Sequence, residues 1–179
     1  MPKTALSLAF ALLLFSSPAL AQAPPSDGGE TPGTTPIAIV EEAYLAHRKG
    51  NYESAIKGYT AIIQRRGLTR RERAITYLLR GEARRDAGKL KDAVLDFSRA
   101  LKQWPGYPQA HYFRGMVYER QGKLTEAYAD IARAASLEPG RETYETSLRL
   151  LIKRMDEAGL KVQHLPVPPA PADPKIPGE

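Results

Sequence analysis

The chain has 179 residues, enough for one domain with a sizeable core. It has no cysteine, which excludes disulfides, thiol catalysis, cysteine zinc sites and a lipid-modified N-terminal cysteine. Its 26 basic and 20 acidic side chains leave a formal charge of +6, an excess that permits an anionic partner without requiring one.

Residues 1–21 read as a secretory signal peptide. Lys3 supplies the positive start, Ala5 to Phe15 the apolar run and Ala19-Leu20-Ala21 the small-x-small cleavage site. A transmembrane anchor needs roughly 20 apolar residues, and Ser16, Ser17 and Pro18 end this run too early. Cleavage near Ala21 is therefore expected to deliver a periplasmic or secreted protein with no transmembrane span. Residues 22–36 follow as a Pro/Gly-rich linker, and residues 162–179 form a Pro-rich tail containing Pro166-Val167-Pro168-Pro169. Neither carries enough apolar surface to offset chain entropy, so both are expected to be disordered. The tail's PxxP spacing is also a format that aromatic grooves bind.

Between Ile37 and Lys161 apolar residues recur at helical spacing, interrupted at glycines. The pattern predicts an all-α domain of seven helices, over 37–49, 53–66, 70–87, 91–103, 108–121, 125–137 and 142–158. Thr69 with Glu72 has the spacing of a capping box at the start of the third helix. Thr125 is the expected N-cap of the sixth. Pro105 and Pro139 stand where two helices should end.

Two segments of this domain repeat each other. Arg80-Gly81, Gly88-Lys89-Leu90, Ala93, Asp96, Phe97, Arg99 and Ala100 recur as Arg114-Gly115, Gly122-Lys123-Leu124, Ala127, Asp130, Ile131, Arg133 and Ala134, 34 residues later. A period of this length signals stacked supersecondary units. With Pro105 and Pro139 closing each unit, the chain resembles the tetratricopeptide repeat family, of an exported bacterial type. There small residues at repeat positions 8, 20 and 27 let two antiparallel helices approach, and a bulky residue at 24 fills the space between them.

The resemblance implies a right-handed solenoid of about three helix pairs, with repeats near 37–69, 74–107 and 108–141. An earlier, weaker repeat has Ala43 at position 8, Gly50 in the turn and Tyr59 at position 24; Ile62 and Gly67 replace its usual small residue and proline. Gly50 and Gly88 are 38 residues apart, so four extra residues are expected to lengthen the end of one helix or the start of the next. Residues 142–158 would form a capping helix over the last repeat's exposed face.

Arg80 and Asp96 occupy positions 7 and 23, and Arg114 and Asp130 repeat them. Each Arg is expected to reach an Asp across neighbouring helices, in its own repeat or the adjacent one. The first repeat has Glu42 and Gly58 instead.

No motif points to catalysis. The three histidines, His47, His111 and His164, share no metal-site spacing, and no nucleophile elbow, phosphate loop or dinucleotide fingerprint occurs. His111 is expected as a satisfied core residue. The chain is read as a non-enzyme without cofactor or metal.

The resemblance implies instead a concave groove lined by the first helix of each repeat. Its positions map to Val40, Tyr44, His47 and Arg48, then Leu78, Leu79, Glu82 and Arg85, then Tyr112, Phe113, Met116, Glu119 and Arg120. Some members clamp a ligand's C-terminal carboxylate with Lys and Asn. Here Val40, Tyr44, Leu79, Gln109 and Phe113 stand at those places, so an apolar or aromatic peptide or helix is expected. A second surface is the basic cluster Arg65, Arg66, Arg70, Arg71 and Arg73, relieved by Glu72, which could face anionic lipid, lipopolysaccharide or an acidic protein. It lacks interleaved aromatics, so nucleic acid is not expected. The resulting expectation is an exported adaptor for a protein or peptide partner, serving envelope assembly or secretion. The alternative is an envelope-surface binder acting through the arginines.

Overall fold

The computed structural model describes residues 36–162, and those residues form seven α-helices and no strand. They are α1 (Pro36–Arg48), α2 (Tyr52–Gln64), α3 (Arg70–Asp86), α4 (Leu90–Gln103), α5 (Pro108–Arg120), α6 (Leu124–Leu137) and α7 (Glu142–Glu157). The leader, all of the linker but Pro36, and all of the tail but Val162 lie outside the described residues, as does His164. No described helix is long and apolar enough to cross a membrane.

Each helix packs on its neighbours in the chain, so the elements stack as pairs α1/α2, α3/α4 and α5/α6 with α7 as the last layer. The same turn links the helices of each pair. At the end of α3, Gly88 N donates to Arg85 O and Lys89 N to Arg84 O, with Gly88 at φ 76°. At the end of α5, Gly122 and Lys123 repeat both bonds to Glu119 and Tyr118. Only glycine takes that left-handed angle without Cβ strain, which is why the Gly-Lys-Leu motif recurs.

This turn also corrects one expectation. The sixth helix starts at Leu124, with Lys123 at the N-cap and no side-chain cap bond, so Thr125 lies inside the first turn. The Schellman closure brings the chain directly from one helix into the next, and Lys123, which has no side-chain acceptor, holds the place from which Asn51 caps α2 by accepting from Ser54 N. The capping box at Thr69 does form: Glu72 N donates to Thr69 Oγ1 at 3.2 Å and Thr69 N to Glu72 Oε2 at 2.7 Å. It sets the start of α3 at Arg70, four residues before the repeat's first position. The four extra residues thus become an added turn at the start of α3, the longest helix at 17 residues.

The core follows the repeat. A Cβ placed on Gly81 would meet Phe97 Cε1 at 2.7 Å, and one on Gly115 would meet Ile131 Cγ1 at 2.7 Å, so position 8 is small because position 24 is large. One apolar cluster runs from Val40 through Tyr59, Ile62, Leu79 and Phe97 to Val117, and a second joins α6 to α7 through Tyr128, Ile131, Leu151 and Met155. The predicted ion pairs sit inside this packing, each within its own helix pair. Arg80 Nε and Nη2 donate to Asp96 Oδ2 and Oδ1 at 2.8 and 2.7 Å. Arg114 makes the same two bonds to Asp130 at 2.7 and 2.8 Å.

The remaining guanidinium nitrogen of each Arg ties its pair to the previous one. Arg80 Nη1 donates to Thr60 Oγ1 at 2.9 Å, and Arg114 Nη1 to Ser98 Oγ at 3.0 Å. Thr60 and Ser98 hold the same repeat position. At the α6/α7 junction, buried Ala132 and part-buried Leu148 stand in the corresponding places, so the cap replaces a polar stitch by an apolar contact.

Candidate interaction groove

The first helices form a continuous layer, because side chains bridge each to the next. His47 Nε2 of α1 donates to Asp86 Oδ2 of α3 at 2.9 Å. Arg85 of α3 places its guanidinium 5.0 Å over the Phe113 ring of α5. Tyr112 of α5 packs on Tyr144 of α7 with ring centroids 4.8 Å apart and shares a 3.1 Å hydrogen bond with Ser147. Arg154 Nη1 of α7 donates to Glu119 Oε1 of α5 at 2.6 Å. α3 and α5 also touch directly, so this layer is the tighter, concave side of the stack.

The mapped groove residues divide by burial. Val40, Leu78 and Leu79 are core residues, and Tyr44 is buried too, so none of the four presents its side chain as groove surface. Neighbouring helix pairs stack over them, a contact that repeat position alone does not reveal. His47, Glu82, Arg85, Tyr112, Phe113 and Glu119 are half-buried, while Arg48, Met116 and Arg120 are exposed. Phe113 has one side in the core, 6.1 Å from Phe97.

Three bridging residues of the groove were not mapped from the sequence: Asp86 on α3, and Ser147 and Arg154 on α7; Tyr144, 3% exposed, is buried like Leu78 and Leu79. Asp86 was within reach of the repeat numbering, since it occupies the position of Arg48 and Arg120. The α7 residues follow from treating the cap as the first helix of a fourth repeat.

Electrostatics separate the two carboxylates at the C-terminal end of α3, Glu82 and Asp86. Burial alone would raise the pKa of Asp86, but hydrogen bonds from His47 and Arg85 outweigh it and bring it down to about 2. Glu82, one turn earlier, is pushed up to about 7 by loss of hydration, although Arg85 and His47 pull the other way and Asp86 adds to the rise. Deeper in the fold, burial would raise Asp130, yet the hydrogen bonds from Arg114 and His111 hold it below the usual carboxylate range. His111 contacts Asp130 Oδ1 and Pro105 O, both at 3.0 Å, and is the satisfied core histidine expected from its position.

The basic cluster is largely drawn into the fold. Arg71 stacks 5.3 Å from the Trp104 ring, which itself stacks on Tyr107 at 4.3 Å. Arg73 Nη1 donates to Ile63 O at 3.2 Å, satisfying a carbonyl at the end of α2. Arg65 is half-buried at the C-cap of α2, leaving Arg66 and Arg70 as the exposed members. Among the described residues, no group of three or more metal-binding side chains is placed to hold an ion.

A tetratricopeptide repeat model matches residues 40–108 and 78–142, together more than half of the chain. The chain belongs to the tetratricopeptide repeat family. Several solved structures share its fold. The first such domain of Spaghetti (RPAP3), bound to an HSP90 peptide SRMEEVD, is similar at 23% identity and a TM-score of 0.62, covering 68% of this chain and 93% of that one. The second such domain of human RPAP3, in complex with an HSP70 peptide, is 27% identical with a TM-score of 0.55, covering 65% and 98%. The Yersinia enterocolitica type III secretion chaperone SycD, in complex with a peptide of the translocator YopD, is 18% identical with a TM-score of 0.59, covering 68% and 92%. No curated protein sequence matches the chain.

Proposed function

We propose that this tetratricopeptide repeat protein is a scaffold that holds a peptide or protein segment against its first-helix layer, exported by its leader and acting in envelope assembly or secretion. The observation that carries this reading is the combination in the α3–α7 layer of Met116, 38% exposed, with half-buried Phe113, Tyr112 and Arg85 fixed by bridges between helices. An apolar, aromatic centre with charged side chains beside it, held rigid before binding, is the composition of a protein-recognition patch. Peptide complexes of RPAP3 and SycD, built on the same fold, support the reading. The arginine cluster supports an anionic surface less well, because Arg71 and Arg73 serve the packing of α2 and α3.

A photo-crosslinking side chain at Met116 tests the groove against Leu95, which is 52% exposed on the second-helix layer. In the native cell, position 116 should trap a discrete partner and position 95 should not. Equal trapping at both positions, or none at 116, refutes the assignment.

A further inference from the structure

Met116 and Leu150 are 34 residues apart, the length of one repeat, and both are exposed. α5 and α7 begin at the same interval, at Pro108 and Glu142, so the two side chains hold the same place on successive first helices. Two bonds between these helices frame them. One turn before Met116, the Tyr112 hydroxyl of α5 is bonded to Ser147 of α7 at 3.1 Å. Three residues after it, Glu119 accepts from Arg154 at 2.6 Å. Leu150 lies between Ser147 and Arg154 as Met116 lies between Tyr112 and Glu119. The pair therefore sits side by side on the groove face, about 10 Å apart, the width of one helix with its side chains.

A helix that only closes a stack needs a polar outer side. α7 has one in Glu145, Arg149, Lys153 and Asp156, all exposed. Leu150, 64% exposed, is the one large apolar residue of α7 left open to water, and it stands on the groove side between the two bridging residues. The charges beside the pair are cationic. Glu119 is neutralised by Arg154. Arg120, one turn beyond Met116, is exposed and has no hydrogen-bond or ion-pair partner among the described residues. Lys153, three residues after Leu150, reaches Glu157 only at 3.9 Å.

We infer that the segment held in the groove is both apolar and acidic: two apolar side chains seat on Met116 and Leu150, and a carboxylate beside them meets Arg120. This deepens the proposed function and rests on it, and it makes the closing helix part of the binding surface. The apolar seats supply the affinity, because each removes exposed side-chain surface from water. The carboxylate supplies selectivity rather than strength, since a solvent-exposed ion pair contributes little by itself. A basic segment would bring like charge against Arg120 and Lys153.

Selection of a displayed random-peptide library on the full chain tests this, with Met116→Glu marking the peptides that occupy the groove. Those peptides should carry two apolar residues at one fixed spacing and an Asp or Glu at a fixed place near them. Leu150→Ser should weaken their binding roughly five- to thirtyfold. It should leave the melting temperature unchanged, because most of the Leu150 side chain is already in water. Replacing the peptide's acid by its amide should weaken binding about two- to fivefold, and Arg120→Gln should remove that difference.

Groove peptides that bind Leu150→Ser as tightly as the unaltered protein, that prefer Lys or Arg to Asp or Glu, or whose acid and amide forms bind alike overturn this inference and leave the groove standing. So does a melting temperature that falls with Leu150→Ser, which would make Leu150 a residue of the fold. Peptides unaffected by Met116→Glu, or the absence of binders, overturn both.

Discussion

Asp96→Ala is the sharpest perturbation of the fold that the structure supports. Asp96 is fully buried and accepts from Arg80, Arg84 and Arg99, at distances of 2.6 to 3.2 Å. When the carboxylate is removed, Arg84 and Arg99 can turn toward water, their side chains being 19% and 50% exposed. Arg80, at 7%, cannot. Its guanidinium would keep one bond to Thr60 and remain an uncompensated buried charge, at a cost of about 3–5 kcal/mol.

With a urea slope of about 2 kcal/mol per molar, the unfolding midpoint followed by circular dichroism should fall by roughly 2 M. The exposed pair Lys153–Glu157, 3.9 Å apart, provides the contrast, and Lys153→Ala should cost no more than about 0.5 kcal/mol. Replacing both buried partners, Arg80→Met with Asp96→Leu, should recover much of the loss, because no buried charge is then left alone. A cost for Asp96→Ala below about 1 kcal/mol, or a double variant as unstable as the single one, refutes this account.

The carboxylates also predict a pH profile with opposite limbs. Asp130 and Asp86 are depressed in the folded state, so the unfolded chain binds more protons below about pH 4 and acid destabilises the fold there. Glu82 is raised to about 7, so the native state binds more protons between roughly pH 4.5 and 7 and stability falls as pH rises through that window. Urea midpoints at pH 5 and pH 8 should therefore decline for the unaltered protein and stay level for Glu82→Gln; parallel declines would show that Glu82 is not the group responsible. Gly115→Ala places a Cβ 2.7 Å from Ile131 Cγ1 and 3.1 Å from the carbonyl of Ala127, and should destabilise the α5/α6 pair by about 1–3 kcal/mol. Thermal melts check this, and a neutral result would mean that the helices can separate without penalty.

Much of the fold was legible because its signals are local. A small residue opposite a large one, a glycine seven residues after a small position, and an Arg sixteen residues before an Asp each define a relation within one helix pair. Such relations survive as spacing in the sequence. The sixth helix's cap was misread because Thr125 satisfies a composition rule, whereas the start was set by the hydrogen bonds of Gly122 and Lys123. The groove was only partly legible. The numbering identified the helix face, but stacking of neighbouring pairs buries Val40, Tyr44, Leu78 and Leu79 and leaves Met116 exposed.

The sequence by itself determined the seven helices, their pairing, the close approach at Gly81 and Gly115 and the Arg–Asp pairs, because each depends on residue size and charge at fixed separation. The tertiary structure alone decided what faces the groove. It brought His47 to Asp86 across two helix pairs, stacked Arg85 on Phe113, and turned Arg71 and Arg73 from a basic surface into packing elements. Those outcomes depend on how one helix pair sits on the next, a relation in space that no spacing along the chain encodes.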